Sequence, residues 1–266
     1  MRLKLFFIAI VLFLSTDLFS QTGSVLLANA YKTKSTIKLR VFFEDWSLKT
    51  KTMNGEQLNK SNDTIQNIYN VFQAFYKPKE LNKIGGSEWG DDIYKNVKYL
   101  VIQNDIPFEI GDSIIDIFED TLYFSEIFTK KNTSFRQGVL TSFRPDLSIE
   151  GSKCLILTKE YDNIINYFLG SKHLSLGIGD IMSPARSIGE SRKRQEFLEN
   201  YIKIFYGHWG GYWQLYSYPK VEKIRFDNTF NNAIISYSMI YEGGDAHLKK
   251  INGIWKLINT RRTWIE

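Results

Sequence analysis

The stretch that most restricts the fold is Lys249-Lys250-Ile251-Asn252-Gly253-Ile254-Trp255-Lys256-Leu257. Asn-Gly between two apolar runs specifies a two-residue hairpin, because both central residues must take positive φ and these two types bear it most easily. The residues before it extend the pattern. Val221 to Phe226, Ala233 to Tyr241, Ala246 to Lys250 and Ile254 to Thr260 read as strands, with Gly243-Gly244 expected as another hairpin turn. A helix is expected ahead of them. Ser187 and Glu190 form a capping box, and Phe197, Leu198, Tyr201, Ile202 and Phe205 share one face of a helix running to about Tyr206. A helix followed by a four-strand meander predicts an α+β fold, with antiparallel sheets packed on helices.

The first half is patterned more loosely. The first convincing helix is Asp63 to Tyr76, with Ile65, Ile68, Tyr69, Phe72, Phe75 and Tyr76 on one face. Asp63 can cap it, Gln66 sits at the capping-box position, and Pro78 ends it. A glycine-rich loop, Ile84 to Gly90, follows. Val97 to Gln103 then reads as a strand that turns at Asn104-Asp105 into Ile106 to Ile110, and Ser113 to Phe118 and Leu122 to Phe128 extend the sheet. Lys130 to Gly151 is polar and irregular. Cys154 to Leu157 reads as a buried strand, and Glu160 to Leu169 as a helix closed by Gly170. Residues 171–188 read as a linker or a long loop, and a boundary there divides the chain into regions 21–180 and 181–266.

Residues 1–20 have the composition of an export signal: Arg2 and Lys4, an apolar run from Leu5 to Leu14, a polar break at Ser15 to Asp17, and Ser20 before the expected cut. The apolar run is about half the roughly twenty residues needed to cross a bilayer. Without a cysteine just after that run, no lipid anchor is expected, so the mature chain should be periplasmic or secreted with no stable membrane attachment. Cutting there removes two cations and one anion and lowers the formal charge from +5 to +4. This mild, dispersed charge carries no nucleic-acid motif; the densest cluster, Arg192-Lys193-Arg194, reads as a solvated helix face. Cys154 is the one cysteine, so no internal disulfide can form and packing must hold the fold. Cys154 itself reads as a small core residue. Aromatics at 15% of residues are enough for that task and indicate an ordered globular chain.

Catalytic signatures are missing. Gly85 to Trp89 fails the nucleophile-elbow pattern, Gly177-Ile178-Gly179 lacks a third glycine, and no metal or cofactor motif is present. The most unusual segment is Gly207-His208-Trp209-Gly210-Gly211-Tyr212-Trp213, whose rings suit an apolar pocket wall. Trp209, Tyr212 and Trp213, with Arg262 for an anionic group, are the candidate ligand-binding residues, although the same rings also suit a core. His208, Asp245 and His247 are the candidate acid–base groups, because imidazole beside carboxylate can move protons near neutral pH. Asp245 and His247 alternate on one strand face, which is also the pattern of a solvated face.

The helix Glu190 to Tyr206, the run Ile234 to Tyr241, Gly243-Gly244 and the segment Lys249 to Leu257 resemble the nuclear-transport-factor-like (cystatin-type) cone domains common in small bacterial secreted proteins. The resemblance covers about residues 187–266. It implies a curved sheet wrapped round a helix with a pocket that serves enzymes in some members and binding in others, so function must come from the site. The expectation is an exported protein that binds a small molecule or an exported protein partner through an aromatic-lined pocket. The alternatives are a hydrolase- or isomerase-like enzyme using His208, Asp245 and His247, and an inhibitor or immunity-type protein.

Overall fold

The structure, a computed structural model, describes residues 23–84, 91–111, 136–170, 188–206 and 213–265. The export-type segment 1–20, the glycines of the loop at 85–90, the segments Ser113–Phe118 and Leu122–Phe128, residues 171–187, and His208, Trp209 and Tyr212 lie outside the described residues. The fold is α+β. It divides into two compact units that each draw on three stretches of chain: Met1–Lys51, Val97–Val101 and Cys154–Leu215 in the first; Thr52–Asn96, Ile102–Lys153 and Tyr216–Glu266 in the second. Neither follows the 21–180 and 181–266 division.

In the first unit, residues 23–32 are helical (α1) and are followed by α2, Thr36–Lys49. Both precede the helix expected first. Ser35 caps α2 by accepting from the Lys38 N–H, and Leu39, Phe42, Phe43 and Trp46 are buried at helical spacing. The outer face masks that signal in the sequence, because Ile37, Val41 and Leu48 are apolar yet 68%, 50% and 67% exposed. The core is a stack of rings. Trp46 lies on Tyr161 with centroids 4.6 Å apart and planes 5° apart, and its indole donates to the Ile156 carbonyl at 2.9 Å. Phe43 stacks on Tyr99 and Tyr201. Tyr99–Val101, from strand β1 (Tyr99–Gln103), and Cys154–Leu157, from strand β4 (Lys153–Leu157), supply one two-stranded sheet of the unit. Cys154 is half-buried at the start of its strand, short of a fully enclosed core position. Helix α5, Lys159–Leu169, buries Tyr161, Ile164, Ile165 and Phe168 and ends at Gly170, whose φ of +74° suits glycine.

Helix α6, Ile188–Leu198, stops two turns before Tyr206. Asn200 donates to the Glu196 and Phe197 carbonyls and so satisfies part of the last turn, while Gln195 donates to the Ile204 carbonyl in the segment that follows. The β-branched and aromatic run Ile204-Phe205-Tyr206 then extends, with β5 (Phe205–Tyr206) paired to β6 (Trp213–Gln214).

The second unit packs a helix on a six-stranded sheet. Its strands are β2 (Ile106–Gly111), β3 (Arg136–Leu140), β7 (Lys220–Asp227), β8 (Asn232–Met239), β9 (Glu242–Ile251) and β10 (Ile254–Ile265), in the order β10-β9-β8-β7-β2-β3. The expected meander is β7 to β10. All pairs are antiparallel except β2 with β7, which is parallel. Asn104-Asp105 separates two strands as expected, but the two do not pair with each other: β1 pairs with β4, while β2 pairs with β3 and β7. Two expectations fail here. The stretch expected to be irregular contains β3, an exposed edge strand lacking apolar alternation, where the Phe108 ring covers Gly138. Gly243-Gly244 is not a turn; Ile240-Tyr241 turns between the paired residues Met239 and Glu242. The two glycines lie inside β9 because the Trp264 indole sits over Gly243, and the Arg261 carbonyl and Tyr237 hydroxyl crowd Gly244. The Asn252-Gly253 hairpin is present, with φ of +53° and +80°.

Short helix α3 (Gly55–Asn59) leads into α4 (Asp63–Phe75). The cap of α4 is Asn62, one residue before the expected Asp63, and it accepts from the Ile65 N–H; Gln66 instead donates to the Asn59 and Ser61 carbonyls. The buried α4 face, Ile68, Val71, Phe72 and Phe75, builds the core, with Phe72 edge-on to Phe143 and Phe75 against Tyr237.

Candidate functional site

The first unit holds a cavity of about 530 Å³ lined by α1, α5 and one residue of α6. The volume lies in the range of small-molecule sites. Its walls follow from helical spacing. Leu27, Ala28 and Tyr31 come from successive turns of α1, and Ile164, Tyr167 and Phe168 lie at i, i+3 and i+4 on α5. Leu27, Ile164 and Phe168 form the enclosed base, while Val25 and Tyr167 remain 62% and 53% exposed at the mouth. Exposed apolar side chains beside a cavity are what a binding mouth requires.

Arg194 sets one end. Its Cζ is 4.9 Å from both the Tyr31 and Phe168 ring centroids, a double cation–π contact. One nitrogen donates to the Phe168 carbonyl at 3.1 Å, at the end of α5 where backbone carbonyls lack helical partners. Another donates to Glu190 at 3.1 Å. Tyr31 lies edge-on to Phe168 and Phe197, each with centroids 5.4 Å apart, and carries the Lys34 ammonium 3.3 Å from its centroid. Burial, reinforced by its hydrogen bond to Glu190, raises the Tyr31 pKa. For Glu190, burial acts upward, but hydrogen bonds from Tyr31 and Arg194 outweigh it and leave the pKa lowered. The carboxylate is therefore held charged and the phenol neutral.

The residues singled out from sequence lie elsewhere. Trp213 belongs to the first unit but does not line the cavity; it is buried and its indole N–H donates to the Gly170 carbonyl. Asp245, His247 and Arg262 belong to the second unit. Asp245 is 4% exposed, where a solvated face was the plain expectation. Its carboxylate accepts from Ser236 at 2.8 Å and pairs with Arg261 at 3.4 Å. The His247 ring is 3.3 Å from the Asn232 side-chain oxygen. Arg262 pairs with Glu242 at 3.2 Å, and the strand register places it on the sheet face opposite Asp245.

The hairpin motif behind the family resemblance has a structural task. Lys250 and Trp255 both donate to the Asn67 side-chain oxygen, at 2.7 and 3.1 Å, and so fasten β9 and β10 to α4. Burial lowers the Lys250 pKa, partly offset by Asp227 and Asp63. Glu109 is another buried carboxylate of this sheet; it pairs with Lys223 at 2.6 Å and Arg225 at 2.8 Å. Burial pushes its pKa upward, but those two cations prevail and hold it below the usual range.

The cavity residues were not marked in the sequence. Leu27, Ala30 and Tyr31 do show the i, i+3, i+4 spacing of α1, and Arg194 was visible only as part of a charged cluster. Among the described residues no helix is long and apolar enough to cross a membrane, and no group of three or more His, Cys, Asp or Glu side chains could hold a metal ion. No family model, curated protein or solved structure matches the chain.

Proposed function

We propose that this is an exported α+β protein that binds a small molecule in the aromatic-lined cavity of its first unit. The cavity carries the reading: its volume of about 530 Å³, its apolar base and its exposed aromatic mouth fit ligand capture. The export-type residues 1–20 support an extracytoplasmic setting. The candidate proton-transfer group Asp245 is occupied by Ser236 and Arg261, which favours binding over acid–base chemistry.

Native mass spectrometry of protein recovered from its own compartment tests the reading. The expected result is a retained small molecule on the wild type that is absent from Ala28→Trp, where the new indole fills the cavity from an exposed position of α1. Equal retention by both proteins would contradict it.

A further inference from the structure

We infer that the cavity takes an amphipathic anion, with an apolar body against Leu27, Ile164 and Phe168 and a single negative group at the Lys32 and Arg194 end. The inference rests on the binding reading above and adds the ligand's charge. Among the described residues, the charged side chains lining the cavity are Lys32 and Arg194, and no carboxylate lines it. Lys34 and Lys193 add positive charge around Tyr31. Glu190 is the acid acting on that ring, and it is already bonded to Arg194 and Tyr31. Among the described residues the lining thus carries two cations, with Lys34 and Lys193 acting on Tyr31 behind it, over walls that offer little hydrogen bonding.

Such a lining favours an anion over a neutral analogue of the same shape, and the preference should weaken with salt because Lys32 is exposed. Arg194 holds the rings in place, while Lys32 has no hydrogen bond or ion pair among the described residues and is available to a headgroup. Lys32 is therefore the residue to change, since its side chain bonds to no other side chain or backbone group among the described residues.

The test uses 1-aminoanthracene, an uncharged fluorescent probe, with dodecanoate, dodecanol and dodecylamine as competitors at submicellar concentration. Probe uptake by the wild type and its loss in Ala28→Trp is expected, and establishes the cavity itself. Dodecanoate should then displace the probe at least tenfold better than dodecanol, and Lys32→Glu should reduce that ratio to within about threefold at unchanged Tm. Lys32→Gln should fall between. Equal displacement by acid and alcohol, or stronger displacement by the amine, would overturn the anion inference and leave the cavity reading standing. Uptake indifferent to Ala28→Trp would overturn the cavity reading. Cosedimentation with anionic vesicles without displacement by free dodecanoate would assign the patch to a membrane surface and also overturn the inference.

Discussion

Glu109 and Asp245 of the second unit lie in the sheet, 6% and 4% exposed, and cations from neighbouring strands meet both. In the first unit, Lys32 and Arg194 line an open cavity; Arg194 is bonded to Glu190, and no carboxylate is among the described lining residues. The difference separates two uses of charge. A buried carboxylate matched by its own sheet has little left to offer a ligand, and removing one partner strands the other. Lys32, beside exposed apolar surface and without an ion pair among the described residues, still has a partner to gain. Under the proposed function, ligand binding falls to the helices α1 and α5, which line the cavity, while the polar sheet face has a structural role.

The largest expected effect sharpens the first-unit side. Trp46→Ala removes the ring stacked on Tyr161 and the bond to Ile156, and should cost about 4 kcal/mol of stability, measured by denaturant unfolding. A cost below about 1 kcal/mol would show that the ring stack does not hold that unit. Glu109→Ala should cost about 3 kcal/mol, because Arg225 and Lys223 lose their shared partner. It should leave ligand retention unchanged; lost retention at intact stability would break the comparison. Asn67→Ala strands the buried Trp255 indole N–H and loosens Lys250, for about 2 kcal/mol.

Acid titration gives a smaller and more specific effect. The folded Glu109 pKa is lowered, so its stabilisation is complete above the ordinary glutamate value of about 4.3 and is lost as pH falls through the folded value. Glu109→Gln should therefore flatten the loss of stability below pH 4, seen by denaturant titrations across pH. An unchanged acid limb would show that the ion pairs add no net stability. The smallest stability effect expected is for Ala28→Trp, within about 1 kcal/mol, because the position is exposed.

The second half was more legible than the first for a physical reason. Asn252-Gly253 and the four apolar runs are local signals, and a hairpin needs little else. Gly243-Gly244 misled because glycine marks both turns and close approach, and only the fold shows that Trp264 and Arg261 crowd it. Phe205 fits the α6 face by spacing, yet Asn200 ends the helix first with side-chain bonds that no periodicity records. In the first half, β3 pairs across a long sequence separation with β2, so its neighbours in the chain could not announce it. The cavity was hidden in the same way. Tyr31, Phe168 and Arg194 are distant in sequence, and each alone reads as an ordinary helix residue.

The most direct test of the account is titration of 1-aminoanthracene into wild type, Ala28→Trp and Asp245→Asn. The account predicts that Ala28→Trp loses at least tenfold in affinity while Asp245→Asn binds as the wild type does. Wild-type affinity in Ala28→Trp, or a comparable loss in a folded Asp245→Asn, would contradict it.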